Sequence, residues 1–232
     1  LIPMAYPDYY SVNKQTNKSK MESFWDTKLD PNEGKTVVEI IKEISLGNIK
    51  GLYVQGENPA MSDPDQIHSR KALARLEHLV VQDIFMTETA WNADVILPAS
   101  AHAEKTGTYT NTNRQIQLGR AVVEPPNEVR QDWWIIQEIA KRMGLGWSYK
   151  SPKDIFDEMK LVMPSLDNIS WERLEKNNHV TYPVKSELSP GEDIIFTDGF
   201  PTYNNLAKII PINLSKPNDE LNSDFPLILS TG

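Results

Sequence analysis

The sequence predicts an α/β fold built on a parallel sheet, and three observations predict it. Apolar runs at 52–54, 79–81 and 95–97 have the length and β-branched content of buried strands. A helix-like segment over 65–77 separates the first two, so strand, helix and strand make a βαβ unit with a right-handed crossover. The first two strands run into polar residues: Gly56, Glu57 and Asn58 after one, Gln82, Asp83 and Thr87 after the other. Ligands of such sheets sit outside the carboxyl ends of the strands. These residues therefore form a candidate rim for a nucleotide-like group.

Taken in order, residues 1–34 are rich in Pro, Asn, Lys and Tyr and read as an extended arm, with a short helix around 20–25. Val37, Val38, Ile40, Ile41 and Ile44 recur at helical spacing, and Gly47-Asn48 stops that helix. The helix after the first strand is expected to take Asp63 as N-cap and Pro64 as its first residue. Its apolar face would hold Ile67, Ala72, Leu73 and Leu76. His68 and His78 lie near it without an acid or histidine at metal-ligand spacing, and read as surface or packing residues. Thr87 begins a short helix, either as an ordinary cap or as a start whose free N–H groups favour an anion. Asp94 opens the third strand and Pro98 ends it.

Residues 104–111 read as a polar loop and 115–118 as a strand. His102 and Glu104 would share one side of a strand, but two residues do not make a metal site. The clearest helix follows Asp132, with Trp133, Trp134, Ile135, Ile136, Ile139, Ala140 and Met143 at helical spacing. Lys141 and Arg142 fill its last turn and Gly144 ends it. The paired tryptophans read as core, given the area they bury. Ser151-Pro152-Lys153-Asp154 starts another helix that Pro164 closes, and a short one starts at Ser170. Strands are expected at 194–196 and 207–210.

Composition narrows the function. The net charge of −8, with both signs interspersed, argues against a nucleic-acid or anionic-membrane surface. No apolar run approaches the length of a membrane span. The absence of cysteine excludes disulfides, a cysteine nucleophile and any iron–sulfur cluster held by this chain alone. It permits a cytoplasmic origin, which is the expectation. The chain opens on Leu1-Ile2-Pro3 without a methionine and closes on an apolar run, so a piece of a longer protein is expected. No phosphate-binding glycine motif or hydrolase motif is present. Physical reading stops at a rim suited to a nucleotide.

Several motifs in register go further. They are Gly56-Glu57-Asn58-Pro59, the run Val80 to Ala90 containing Gln82-Asp83-Ile84-Phe85-Met86-Thr87, and Ala93-Asp94-Val95-Ile96-Leu97-Pro98-Ala99. Glu104-Lys105-x-Gly107-Thr108-Tyr109-Thr110-Asn111 and Asp132-Trp133-x-Ile135-Ile136-x-Glu138-Ile139-Ala140 follow. Together they resemble the molybdopterin oxidoreductase family, nearest to the catalytic alpha subunits of molybdenum- or tungsten-dependent formate dehydrogenases.

The resemblance implies a Rossmann-like parallel-sheet dinucleotide-binding region, with smaller mixed α+β segments belonging to neighbouring domains. The expected division is an arm over 1–34, the α/β region over 35–103 and 131–147, and interdomain segments over 104–130 and 148–224. Residues 225–232 would begin a C-terminal domain that covers the cofactor. The implied cofactor is a bis(molybdopterin guanine dinucleotide) carrying molybdenum or tungsten. Gly56, Glu57 and Asn58 would line one nucleotide, Gln82 and Asp83 would follow the next strand, and Thr87 and Asp94 would complete the rim. Asp83 is expected at the guanine edge, where a carboxylate accepts from N1–H and the exocyclic amine together.

The family's metal ligand and iron–sulfur cysteines lie upstream in its pattern. No catalytic or metal-binding residue is therefore expected here, and the piece alone is expected to be inactive. The implied parent reaction is oxidation of formate to CO2, with electrons leaving through iron–sulfur clusters to an acceptor subunit or carrier. The expected partners are the rest of the parent chain and that acceptor, with no nucleic acid and no membrane span. Two alternatives stay open: a nitrate reductase of the same family, and a non-catalytic homologue of the complex I type that keeps the fold.

Overall fold

The computed structural model describes residues 3–126, 128–214 and 221–228. Two compact units divide the chain, Leu1–Asp193 and Ile194–Gly232.

The first unit opens differently from an extended arm. A 3-10 turn at Pro7–Tyr9 leads to helix α1 (Gln15–Trp25), whose Met21 is fully buried. Helix α2 (Val37–Ser45) starts on a reciprocal cap. Thr36 Oγ1 accepts from Glu39 N, while Glu39 Oε2 accepts from Thr36 N at 2.7 Å and from the Thr36 hydroxyl at 2.8 Å. Ile41 and Ile44 face Ala60, Ala72 and Leu73, whereas Val37 and Val38 stay exposed because the buried stripe covers one face only.

The cap makes a testable contribution. Thr36→Ala should lower stability by roughly 1 kcal/mol in thermal melts at neutral pH. The Glu39 carboxyl is held below its ordinary value, first by the Thr36 N–H and then by the Thr36 hydroxyl. A lowered folded value contributes stability above the ordinary carboxylate range that is lost as pH falls through the lowered value. The deficit of the Thr36→Ala protein should therefore shrink in acid. An unchanged deficit would mean that the Thr36 hydroxyl bond to Glu39 adds nothing, since the backbone N–H bond to the same oxygen is kept by alanine.

The parallel sheet forms where the apolar runs predict, but only the second run is largely buried: Tyr53 of the first and Val95 and Ile96 of the third are exposed. Strands β1 (Gly51–Gln55), β2 (His78–Asp83) and β3 (Val95–Pro98) lie side by side in that order, with Val54 opposite Val81 and Val81 opposite Ile96. Val54, Leu79, Val81 and Ala90 bury one face. The crossover contains two helices, α3 (Pro59–Ser62) and α4 (Gln66–Leu73). Pro59 starts α3, which pushes Asp63 to the C-cap of that helix, so Asp65 caps α4 instead by accepting from His68 N at 3.0 Å. The shifted start turns Ser69, Ala72 and Leu73 inward and leaves Ile67 exposed.

Helix α5 (Asp132–Arg142) begins beside the carboxyl edge of this sheet, where Arg130 N donates to Pro98 O and Ser100 N donates to Arg130 O. The paired tryptophans are not core. Successive helical side chains point about 100° apart, so burying Ile135 and Ala140 leaves Trp134 exposed and Trp133 half-buried.

The polar 104–111 segment is only partly loop. It contains β4 (Gly107–Thr110), which pairs with β5 (Gln115–Gly119), and β5 pairs with β6 (His179–Thr181) in an antiparallel sheet. His102–Glu104 is a 3-10 turn, with Glu104 Oε2 folded back on Ala101 N, so the two side chains share no strand face. Helices α6 (Pro152–Val162) and α7 (Trp171–Asn177) cover this sheet, each capped by the predicted serine, Ser151 and Ser170. Ile116, Phe156, Ile169, Leu174 and Val180 fill the space between.

In the second unit no described residue forms a strand. The strands expected at 194–196 and 207–210 do not form: Ile194, Ile209 and Ile210 are exposed, and Phe196 takes φ +63. A strand needs a ladder, and residues 207–210 make no backbone hydrogen bond among the described residues. Residues 225–228 are likewise irregular, and 229–232 lie outside the described residues. Among the described residues no helix is long and apolar enough to cross a membrane.

Candidate functional site

The carboxyl edge of the parallel sheet is built from the bottom up by two turns and one helix start. After β1 the chain turns at Gly56, whose φ of +61 lies in the left-handed region. Nothing stands within 4 Å of where a Cβ would be, and Gly56 N donates to Gln82 O at 2.9 Å. The result is a bare stretch of backbone, tied to β2 and open to close approach. Glu57 follows it, exposed.

Asn58 closes this turn on the next one. Its Oδ1 accepts from Thr89 N at 3.1 Å and from Thr89 Oγ1 at 2.8 Å, and its Nδ2 donates to Glu88 Oε2 at 2.6 Å. Thr89 is fully buried, and its hydroxyl oxygen accepts from Ala60 N. The Asn58 amide is the first cause that holds the Glu88 carboxyl below its ordinary value. Thr87 does not begin the expected helix: the three-residue 3-10 turn Ala90–Asn92 has Thr89 at its N-cap position, and Thr87 Oγ1 accepts from Ala90 N at 3.2 Å from two residues further back. That turn is too short to gather helical N–H groups around an anion.

Asp83 ends β2 half-buried. Its Oδ1 accepts from Ile84 N at 2.6 Å and Phe85 N at 3.2 Å, while Oδ2 has no partner among the described residues. One oxygen thus fixes the carboxylate and the other remains to accept.

Gln82 is placed otherwise than expected. Its side chain is fully buried beneath the rim, with both ends engaged. The Tyr53 hydroxyl donates to Gln82 Oε1, and Gln82 Nε2 donates to Asp132 Oδ1 at 2.7 Å. Asp132 Oδ2 in turn pairs with Lys105 Nζ at 2.5 Å. Burial, then the charge of Asp132, raises the Tyr53 hydroxyl above its ordinary value.

Asp94 does not complete this rim. It precedes β3, at the amino edge, where its Oδ2 accepts from Leu79 N at 2.7 Å and its N–H donates to Leu79 O at 2.8 Å. His78 Nδ1 stands 3.5 Å from the same oxygen. In a parallel sheet the first and last residues of a strand lie at opposite edges, here roughly 13 Å apart at about 3.3 Å per residue. Asp94 fastens the start of β3 to that of β2.

The structure therefore brings Gly56, Glu57, Asn58, Asp83 and Thr87 to one edge, sets Gln82 beneath them and separates Asp94. It adds three residues that sequence reasoning passed over. Tyr53 was hidden in an apolar run, Asp132 read as a helix start, and Lys105 lay inside a quoted motif without a role. Bare backbone and a fixed carboxylate offer hydrogen-bond acceptors at this edge, and Lys105, paired with Asp132, carries an ammonium. No group of three potential metal ligands occurs among the described residues.

A groove of about 670 Å³ in the first unit is walled by Trp25, Trp133, Trp147 and Met159 among others. Its principal polar feature is Tyr149, which donates to Glu158 Oε2 at 2.7 Å and whose hydroxyl is pushed up to about 12 by burial and that bond. This apolar lining does not suit a charged nucleotide.

Comparison with known proteins adds four findings. Residues 9–142 match the family model described as molybdopterin oxidoreductase. The chain is 44% identical over 233 aligned residues to the F420-dependent formate dehydrogenase subunit alpha of Methanocaldococcus jannaschii, covering all of this chain and 34% of that protein. It is 36% identical to the F420-dependent formate dehydrogenase 1 subunit alpha of Methanococcus maripaludis, with the same coverage of 100% and 34%. The chain thus spans about a third of the length of these relatives. Acetylene hydratase from Pelobacter acetylenicus shares its fold, with a TM-score of 0.53 at 23% identity over 72% of this chain and 24% of that one.

Proposed function

The chain belongs to the molybdopterin oxidoreductase family, and from that premise we propose that it supplies the binding edge for one guanine dinucleotide of a bis(molybdopterin guanine dinucleotide) cofactor. The protein it serves is read as a formate dehydrogenase. The observation that carries the nucleotide reading is Asp83: a half-buried carboxylate at the carboxyl end of β2, fixed through Oδ1 by two backbone N–H groups, with Oδ2 left to accept.

The residues present fit the nucleotide end of such a group. Gly56 lets the backbone approach closely, Asp83 accepts from the guanine N–H groups, and Lys105 offers its ammonium to phosphate. Asn58 and Thr87 hold the two turns in place. Asp94 is left out of this assignment because of its position. The molybdenum or tungsten centre supplies the two-electron chemistry when bound. Formate gives up two electrons and one proton to become CO2, and the electrons pass to an acceptor subunit or carrier through iron–sulfur clusters held elsewhere. Relatives at 36–44% identity bear formate dehydrogenase names, which favours formate over nitrate. The cytoplasm is the compartment proposed, in keeping with a chain that has no cysteine.

The test is the GMP and metal released by acid from the full-length protein. Wild type should release about two GMP per metal, as two dinucleotides require, and Asp83→Ala about one. If wild type made with adequate cofactor supply yields neither metal nor GMP, the enzyme reading is wrong.

A further inference from the structure

We propose that Tyr53 and Gln82 are positioning residues of this edge: they fix the Asp132 carboxylate and, through it, the Lys105 ammonium that borders the nucleotide. The inference rests on the nucleotide reading above.

Four segments far apart in sequence meet here. Tyr53 comes from β1, Gln82 from β2, Asp132 from the first turn of α5, and Lys105 from the segment before β4. Gln82 is the link, and it is fully buried. A buried amide is costly unless its oxygen and nitrogen are both satisfied. Here the partners allow one orientation only. Asp132, as a carboxylate, can accept but not donate, so Nε2 must face it. The Tyr53 hydroxyl then donates to Oε1. A flipped amide would set its oxygen against the carboxylate.

The consequence reaches Lys105. Asp132 has one oxygen on the Gln82 amide and the other 2.5 Å from Lys105 Nζ. With the first oxygen held, the carboxylate cannot rotate, and the ammonium has a fixed seat. An ammonium carries three donors, so one bond to Asp132 leaves two for an anionic ligand. Gln82 is also the neighbour of Asp83, so one strand end carries both the support and the carboxylate assigned to the base.

The test uses the full-length protein and reads the rate of GMP release during dilution, beside the thermal midpoint. The informative variant is Gln82→Glu. A neutral glutamic acid has one acceptor oxygen and one O–H donor, the pattern the amide presents to Tyr53 and Asp132. An ionised one has no donor and repels Asp132. The groups facing this position are the Tyr53 hydroxyl and the Asp132 carboxylate, with Lys105 already paired beyond. Burial and the like charge should keep the introduced carboxyl neutral at about pH 6 and allow ionisation at higher pH.

Gln82→Glu should therefore hold GMP like wild type near pH 6. It should release it about tenfold faster near pH 8.5, the loss of one charge-assisted hydrogen bond, while wild type stays flat. Gln82→Leu should release faster at both. Tyr53→Phe should release several-fold faster with a lowered midpoint, because Gln82 Oε1 loses its donor, and it stands in if the glutamate variant fails to fold. A flat profile for Gln82→Glu, or wild-type release from Tyr53→Phe, overturns the inference while leaving the nucleotide reading intact. A wild type without GMP overturns both.

Discussion

Phe156→Ala should destabilise the first unit by roughly 3–5 kcal/mol, the range for removing a fully packed ring. Phe156 is 2% exposed on α6 and meets Trp171 edge to face, with ring centroids 6.0 Å apart. Ile116, Ile169, Leu174 and Val180 close around it. Its neighbours come from β5, β6 and α7 as well as the 3-10 turn after α6, so filling the space would require several elements to shift together. The loss should therefore lie in the upper part of the alanine range rather than be relieved by relaxation. Leu161→Ala on the same helix is the control: Leu161 is 70% exposed, and its change should stay within about 0.5 kcal/mol. Guanidinium unfolding followed by tryptophan fluorescence separates the two. Equal midpoints would mean that this antiparallel layer is not packed as described. Phe156 also lines a small cleft shared with Lys105, Thr108 and Asp132.

Legibility in the sequence followed the range of the interaction. The central strand is legible because a buried parallel strand writes a continuous apolar run, here with Leu79 and Val81 buried, while Val95 and Ile96 form an apolar run that stays exposed. Helix starts at Ser151 and Ser170 are legible because a cap is a contact over three residues. The start of α4 was misread because Pro59 and Pro64 both offer a first helical position, and only the fold decides that the first is used. β4 and β6 were missed because each is short and polar, and each is a strand only by virtue of β5 between them. At the site, Gly56 announces itself by lying just past β1 and Asp83 by ending β2. The Tyr53–Gln82–Asp132–Lys105 chain does not, since its members are 29, 50 and 27 residues apart. Asp94 shows the converse error: a polar residue beside a strand says nothing about which edge it occupies until the strand's direction is known.

Asn58→Ala should cost roughly 2–4 kcal/mol, large for a half-buried polar residue, and loosen the rim at the same time. The side chain makes three hydrogen bonds, two as acceptor from Thr89 and one as donor to Glu88. Losing the two bonds from Thr89 forfeits about 0.5–1.5 kcal/mol each. The greater loss comes from what stays behind. Thr89 is fully buried, so its N–H and hydroxyl proton lose their acceptor where water does not reach, at about 1–3 kcal/mol for the unsatisfied groups. Asn58→Asp separates the two contributions. It keeps acceptors for Thr89 but puts a second carboxylate where the Glu88 oxygen stands 2.6 Å from the amide nitrogen. Its stability should approach wild type in acid, where one carboxyl is protonated, and fall as pH rises through the range in which both ionise. The alanine variant should show no such recovery. Thermal midpoints across pH read the stability of both variants, and GMP release reads the rim. If Asn58→Ala melts with wild type, the two turns are not clipped together by this residue. If it melts low yet releases GMP at the wild-type rate, the Gly56 turn does not contribute to nucleotide binding.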